Sequence, residues 1–237
     1  MINLKSKLTK TIGFVLDELL PPFIRDRRWF YSIVIKTWNS KMDIDFKVKA
    51  FDMTEVEFQE AYEKISPMRS TDNTKNTLDF VHNNIAGQKV LEVGCGNGDL
   101  SLELAEKGYA VTATDLAPSN LKILKEKAEY KAVKMDFGVA NVESIPYDDK
   151  FFDTSICLHT LEHVRNVGLA IKELKRVTKK RIIIIVPKQK FHLYTADYHL
   201  NFFSHSSQLK REMGIENSQC EIIDFCLCYN GDLKELN

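Results

Sequence analysis

Nine residues constrain this chain more than any others: Val90-Leu91-Glu92-Val93-Gly94-Cys95-Gly96-Asn97-Gly98. The apolar run from Lys89 to Val93 reads as a buried strand. A tight glycine loop follows, and then a helix from Asp99 to Lys107. A strand that turns through glycines into a helix aims backbone N–H groups and a helix N-terminus at a ligand. Glycine is needed because the backbone turns sharply and the ligand must come close without a Cβ in the way. The spacing discriminates between ligands. Dinucleotide-binding loops favour G-x-G-x-x-G, which cradles a pyrophosphate. Here Gly94, Gly96 and Gly98 alternate, and Glu92 precedes them.

From residue 88 onward strands and helices alternate. Strands are predicted over Lys89–Val93, Tyr109–Thr114, 131–136, Phe152–Leu158 and Arg181–Val186. Helices are predicted from Asp99, from Pro118 to about Tyr130, and over roughly 166–178. The run Ile182-Ile183-Ile184-Ile185 fits a parallel strand buried on both faces. Short β–α connections imply right-handed crossovers and a ligand at the C-terminal strand ends. A short helix near 206–213 stops at Gly214, and Cys220–Tyr229 reads as one sixth strand. Beyond it little chain remains for a seventh. In the first part of the chain, Thr54 and Glu57 form a capping-box pattern. Phe58, Ala61, Tyr62 and Ile65 then mark one apolar helical face, and a further helix is expected over 72–84.

The second strand ends at Asp115, one β–α–β unit on from Gly94. An acidic side chain there can accept hydrogen bonds from both hydroxyls of a ribose, a device shared by several nucleoside-binding families. Two later segments add to it: Ala140-Asn141-Val142-Glu143-Ser144-Ile145-Pro146-Tyr147, and Phe152-Asp153 running on to Leu161-Glu162-His163-Val164.

These segments, in this order from Glu92 to Val164, resemble the ordered motifs of the class I S-adenosylmethionine-dependent methyltransferases, in the subgroup carrying Leu-Glu-His-Val. The resemblance covers residues 88–187 well, 188–229 loosely and 1–65 hardly at all. It implies an α/β, Rossmann-like doubly wound fold. A mainly parallel sheet carries helices on both faces, with an N-terminal helical cap over residues 1–70 and the methyltransferase domain over 71–237. The implied cofactor is S-adenosyl-L-methionine, with S-adenosyl-L-homocysteine as product. Its implied site comprises Glu92, Gly94, Cys95, Gly96, Asn97, Gly98, Asp115, Leu116, Asn141, Val142, Leu158 and His159. Glu92 suits the cationic end of the cofactor, and Asn141 the adenine amino group. Val142 would pack on the adenine face, with Leu158 and His159 under the methionine part. Asn141 stands where the family usually has Asp; an amide carbonyl can still accept that bond. Thr178-Lys179-Lys180-Arg181 replaces a common Lys-Pro-Gly-Gly turn.

Methyl transfer is an in-line displacement at an already activated carbon, so the protein chiefly orients the reactants and excludes water. An acceptor that must lose a proton gains from a base near neutral pKa. Five of the six histidines fall within 159–205. His163 follows the fourth strand and His199 the fifth, which makes them the candidate catalytic bases; the alternative is that they shape the pocket. His192, His199 and His205 lack a recognisable metal-ligand spacing, so no metal is expected. Tyr62 and Arg69 are candidates to close over the cofactor.

Lys+Arg and Asp+Glu number 33 each, but residues 1–50 hold ten basic and five acidic residues, a local +5. The basic residues flank an aromatic, apolar stretch, Trp29-Phe30-Tyr31-Ser32-Ile33-Val34-Ile35. Residues 19–41 therefore read as a helical cap, as a peripheral membrane contact, or as a lid or dimer contact. No apolar run is long enough to cross a bilayer, so no membrane span is expected, and Asp17 and Glu18 interrupt any signal-peptide core. Five cysteines with no C-x-x-C pair read as reduced core residues of a cytoplasmic protein. The Asn/Asp-Pro-Pro-Tyr signature of adenine and glutamine N-methylation is absent, and no basic stripe marks residues 71–237 as a nucleic-acid binder. The expected acceptor is a small molecule or lipid-like metabolite, methylated on O, N or C. The competing readings are a non-catalytic methyltransferase-like binding module and an NAD(P)-dependent oxidoreductase.

Overall fold

Seven strands form one sheet: β1 (Lys89–Val93), β2 (Ala110–Asp115), β3 (Asp136–Val139), β4 (Phe152–Leu158), β5 (Thr178–Pro187), β6 (Ser218–Ile223) and β7 (Cys226–Asp232), in the order β3-β2-β1-β4-β5-β7-β6. The computed structural model describes residues 15, 19–38, 43, 45–65, 73–194 and 198–233. Arg69 lies outside them. The first five strands are parallel; β7 runs antiparallel to β5 and to β6.

Because side chains alternate along a strand, each central strand feeds two cores. Leu91, Cys157, Ile182, Ile184 and Leu227 point to one face, where α8 (Val167–Val177) and α9 (Ser206–Met213) cover them. Val90, Val111, Ile156, Ile183, Ile185 and Cys228 point to the other, against α5 (Lys75–Asn84) and α6 (Asp99–Glu106). Helix α7 (Pro118–Tyr130) packs beside α6 through Leu121, Leu124 and Leu102. This is the expected doubly wound α/β sheet with helices on both faces.

Two strand expectations are corrected. Residues 220–229 form a hairpin rather than one strand, and this hairpin supplies the antiparallel seventh strand. The chain reverses at Asp224 and Phe225, both left-handed (φ 47° and 67°). The predicted third strand at 131–136 begins at Asp136 instead. Ala132 turns left-handed (φ 55°), and Val133 and Met135, in the irregular stretch after that turn, pack half-buried against the cluster of α6 and α7. At Thr178 helix α8 passes directly into β5, its hydroxyl donating to the Leu174 carbonyl at 2.5 Å.

Before the sheet come α1 (Pro22–Arg25), α2 (Arg28–Trp38), α3 (Phe46–Lys49) and α4 (Glu55–Ile65). The capping box at Thr54 forms: the Glu57 amide donates to Thr54 Oγ1 at 3.3 Å, and the Thr54 amide donates to Glu57 Oε2 at 2.8 Å. The predicted face of α4 packs Phe58, Tyr62 and Ile65 against Phe46, Ala50, Tyr198 and Leu200. The N-terminal helices thus lie on the loop that follows β5. Two further ties hold them there. Lys47 Nζ donates to the His192 carbonyl at 2.7 Å, and Tyr31 and His192 share a 2.5 Å hydrogen bond.

Candidate functional site

The three loop glycines are all left-handed, but each answers to a different neighbour. At Gly94 (φ 72°) an added Cβ would lie 2.1 Å from Thr160 Oγ1, and at Gly98 (φ 73°) 2.4 Å from Leu124. At Gly96 (φ 54°) it would meet nothing within 4 Å. Two of these glycines let the protein close on itself, and the third leaves open space above the backbone. The Gly94 and Cys95 amides donate to the Thr114 carbonyl at 2.8 and 2.9 Å, which ties the loop to the end of β2. Gly98 is the N-cap of α6, so that helix's positive end faces the same space.

Glu92 lies under this loop, buried on the α6 face, where Ser101 donates its hydroxyl to the carboxylate. Burial pushes the carboxyl up from 4.5 to about 7. The Cys95 thiol is held well above its ordinary value by burial and by the nearby Glu92 and Asp115. Asn97 donates to Asp99 at 2.9 Å, while its buried Oδ1 has no hydrogen-bond partner among the described residues.

Asp115 is buried at the end of β2. Its Oδ2 accepts the Gly96 amide and its Oδ1 the Ala117 amide, each at 2.8 Å. An ionised carboxylate oxygen can accept more than one hydrogen bond. Leu116 turns toward the N-terminal helices: it packs against the cluster around α4, and its carbonyl accepts Gln59 Nε2 at 3.1 Å. Asn141 bridges two partners, its Oδ1 accepting the Glu143 amide at 3.0 Å and its Nδ2 donating to Glu55 at 3.1 Å. Val142 is buried in the larger core. Arg165 fastens α4 from the other side: it pairs with Glu55 and lies over the Phe58 ring.

At the end of β4, Leu158 is buried and His159 adopts a left-handed backbone (φ 49°). A cluster gathers beside it. His159 Nδ1 lies 3.5 Å from Glu162 Oε1, and His163 Nε2 lies 3.9 Å from the same oxygen. The His163 and His199 rings meet edge to face at 4.8 Å. His163 is buried beneath Tyr62, its Nδ1 3.2 Å from the Tyr198 carbonyl. His199 is half-buried, with Nδ1 bonded to Gln189 Oε1 at 2.6 Å. The structure therefore brings the two candidate bases together and buries one of them. His192 and His205 lie elsewhere, on Tyr31 and at the start of α9. Donor atoms of Glu162, His163 and His199 lie within 4.8 Å of one another. The group is a carboxylate among imidazoles.

Glu162, at the centre of this cluster, enters the sequence reading only as a member of the Leu161-Glu162-His163-Val164 run, with no role attached. It is 1% exposed, and its Oε2 has no hydrogen-bond partner among the described residues. A carboxylate inside an apolar Leu-x-His-Val frame is the one local signal for it. Thr160 carries no such signal, because its close approach to Gly94 joins segments distant in the chain.

Residues 91–186 match the family model described as Methyltransferase domain. Over 93 residues the chain is 37% identical to the ubiquinone biosynthesis O-methyltransferase of Rickettsia felis, covering 39% of this chain and 38% of that one. Over 105 residues it is 37% identical to the protein of the same name from Xanthomonas oryzae, covering 43% and 44%. The chain thus spans less than half the length of these relatives. Among solved structures, an S-adenosylmethionine-dependent methyltransferase from Aquifex aeolicus superposes with a TM-score of 0.58 at 18% identity, covering 74% of this chain and 98% of that one. The cyclase SpnF gives 0.57 at 18%, covering 70% and 73%. Identities this low establish the fold alone, and one fold hosts several chemistries.

Proposed function

We propose that this chain, whose residues 91–186 form a class I S-adenosylmethionine-dependent methyltransferase domain, transfers a methyl group to the hydroxyl of a small or lipid-like acceptor. In this reading residues 71–237 are the transferase and residues 1–70 a helical cap over its acceptor side. One observation carries it: Gly96 leaves open space above a left-handed backbone whose amide is already bound to Asp115. A nucleoside can approach there, with its ribose hydroxyls against the Asp115 carboxylate. The cradle fits the cofactor in two further respects. The helix N-terminus begins at Gly98, two residues on from Gly96, and the buried Asn97 Oδ1 between them has no hydrogen-bond partner among the described residues.

When bound, the cofactor supplies a methyl group already activated on a sulfonium. The chain's own residues then bind and orient. Glu92, in its ionised form, faces the cationic amino-acid end. Gly96, beside Cys95, admits the cofactor's body, while Gly94 and Gly98 hold the loop's turns against Thr160 and Leu124. Leu116, Asn141 and Val142 border the adenine, and Leu158 and His159 the methionine carbons. His199, half-buried beside fully buried His163, takes the acceptor's hydroxyl proton. The match of residues 91–186 to a methyltransferase family model favours this cofactor over NAD(P).

The acceptor class rests on two supports. Curated relatives of this part of the chain are named for O-methylation in ubiquinone biosynthesis. In addition, the N-terminal helices leave large apolar side chains uncovered: Phe23 is 68%, Trp29 59% and Ile33 56% exposed, with Arg27 and Arg28 beside them. Trp29 and Ile33 lie one turn apart on α2, as in a helix resting on a lipid surface. No helix among the described residues is long and apolar enough to cross a membrane.

Calorimetric titration with S-adenosylhomocysteine, NAD⁺ and NADP⁺ tests the cofactor site. Micromolar binding of the first alone, lost in Asp115→Ala, is expected; preference for a nicotinamide nucleotide overturns the reading. Transfer of labelled methyl to phenolic acceptors, abolished in His199→Ala with cofactor binding intact, tests the base. If cofactor binds but no acceptor in the panel is labelled, the non-catalytic binding module becomes the better account. Flotation with anionic liposomes, lost in Trp29→Ser/Ile33→Ser, tests the lipid surface.

A further inference from the structure

Three polar side chains of α4, Glu55, Gln59 and Glu63, are spaced four residues apart and so lie along one side of the helix. Each is bonded beside one of the two loops that border the adenine in the reading above. Gln59 Nε2 donates to the Leu116 carbonyl at 3.1 Å, just after β2. Glu63 Oε1 accepts the Ser119 amide at 3.2 Å, in the first turn of α7, into which that loop leads. Glu55 Oε2 accepts Asn141 Nδ2 at 3.1 Å, just after β3. Helix α4 therefore reaches from the loop after β2 to the loop after β3, and Glu55 is the group it brings to the Asn141 side.

A closed circuit of bonds fixes that contact. Asn141 Oδ1 accepts the Glu143 amide at 3.0 Å. Glu143 Oε1 accepts the Arg165 and Asn166 amides at 2.7 and 3.0 Å. The Arg165 guanidinium donates to the Met53 carbonyl at 2.5 Å and pairs through Nη2 with Glu55 Oε1, which closes the circuit. This decides which way the Asn141 amide faces. Turned over, it would set its NH2 against the Glu143 N–H and its oxygen against the Glu55 carboxylate, donor on donor and acceptor on acceptor. The amide nitrogen is thus the atom on the Glu55 side, and an amide nitrogen cannot accept a hydrogen bond from an amino group. The acceptor on that side is the Glu55 carboxylate. Its two oxygens offer about four lone-pair sites, of which Arg165 and Asn141 each take one. The Glu55 side chain is 69% exposed, so the other sites are open to an incoming group.

We propose that Glu55 is a specificity-determining residue of the cofactor site: its carboxylate, carried in by the N-terminal helices and aimed by Arg165 and Asn141, accepts the 6-amino group of the adenine and rejects a purine with oxygen at that position. The proposal rests on the cofactor reading above and names the residue that selects the base. An ionised carboxylate only accepts, and hydrogen bonds to it are among the stronger ones. A 6-oxo group would face it lone pair against lone pair. Asn141 is then a positioning residue that orients the Glu55 carboxylate. Base recognition is also tied to the cap, because the ligand that gains this bond holds α4 against both loops.

The test is calorimetric titration of the full-length protein with S-adenosylhomocysteine and with S-inosylhomocysteine, which carries oxygen in place of the 6-amino group. The wild type should prefer the adenosyl compound by about tenfold or more, the range of one hydrogen bond to a charged group. Glu55→Gln keeps the length of the side chain but can turn either an N–H or an oxygen to the ligand. It should weaken the adenosyl compound, strengthen the inosyl one and bring the two within about threefold of each other. Gln59→Ala loosens α4 from Leu116 but leaves the carboxylate, so it should weaken both ligands alike and keep the wild-type preference. A preference that Glu55→Gln leaves at its wild-type value overturns the proposal. So does equal weakening of both ligands in that variant, which would make Glu55 a structural tie alone. If the wild type binds the two ligands equally, the proposal falls while the cofactor site stands. If it binds neither, the cofactor reading falls as well. The wild-type comparison needs no variant to fold.

Discussion

A Cβ on Gly94 would lie 2.1 Å from Oγ1 of Thr160, so the loop after β1 and the turn after β4 touch with no room for a side chain between them. Thr160 is itself fixed there, donating to the Leu158 carbonyl at 2.9 Å. Gly94 and Gly96 share a left-handed backbone but differ in surroundings, and their alanine variants should separate accordingly. Gly96→Ala should cost about 1 kcal/mol of stability, the backbone penalty alone. It should weaken S-adenosylhomocysteine binding by about tenfold or more, because the new methyl enters the ligand's space. Gly94→Ala should cost about 3 kcal/mol, since overpacking adds to the same penalty. Part of that loss should return in the Gly94→Ala/Thr160→Ala double variant. Urea denaturation and calorimetry on the four proteins check this.

Glu92 links cofactor binding to pH. Its carboxyl is raised from 4.5 to about 7 by burial. Between these values the native state binds more protons than the unfolded chain, so this group makes stability fall as pH rises through that window. Cofactor binding runs the other way, because the cationic amino group prefers the carboxylate. Affinity for S-adenosylhomocysteine should therefore rise about tenfold from pH 6 to 8, as the proton bound near pH 7 is lost. Glu92→Gln should bind more weakly at pH 8 and show a flat profile. Calorimetry in buffers of different ionisation heat should also detect proton release on binding to the wild type near pH 7.

The β6–β7 hairpin turns through two left-handed residues, Asp224 and Phe225. Such two-residue turns favour Asn-Gly or Asp-Gly, so Phe225 is the strained member. Phe225 is 68% exposed and gives up little packing. Asp224 is not free to change, because it accepts from Thr74 Oγ1 at 2.5 Å and from Asn76 Nδ2 at 3.1 Å. Phe225→Gly should stabilise the protein by about 1 kcal/mol, whereas Asp224→Gly should destabilise it. Midpoints of urea unfolding compare the two.

The same turn marks where the sequence stops being legible. Local patterns suffice for β1, β4, β5 and helices α4, α7 and α8, because each carries its own apolar period, cap or glycine. The hairpin reads as one strand because Asp224-Phe225 lacks the glycine that announces such a turn; its geometry is held by contacts to Thr74 and Asn76 at the start of α5, far back in the chain. Val133 and Met135 resemble strand residues because they are apolar, but they pack half-buried from the irregular stretch that leads into β3. Within the site, the glycine loop and Asp115 stand out because their chemistry is contiguous or at a known interval. The burial of Glu162 and the meeting of His163 with His199 depend on where the turn after β4 meets the loop after β5, and no local pattern encodes that convergence.

Asp153 offers a test of how β1 is anchored. It belongs to the β4 motif, and its Oδ2 accepts the Gln88 and Lys89 amides at 2.8 and 3.0 Å, while Oδ1 pairs with Lys180 at 2.9 Å. The Lys180 ammonium, with the two amides, lowers its carboxyl from 3.8 to about 2 despite partial burial. The folded value is depressed, so the stabilisation is fully present above pH 3.8 and is lost as pH falls toward 2. A shift of this size corresponds to about 2 kcal/mol at pH 7. Asp153→Asn keeps the shape but removes the charge, and one of its polar atoms becomes a donor facing donors. The loss in urea unfolding should match that figure at pH 7 and shrink progressively as the pH is lowered from 4 to 2. A deficit that stays constant over that range would assign the loss to geometry rather than charge. Gly87 must remain glycine in both proteins, because its Cβ would lie 2.4 Å from Asp153 Cγ.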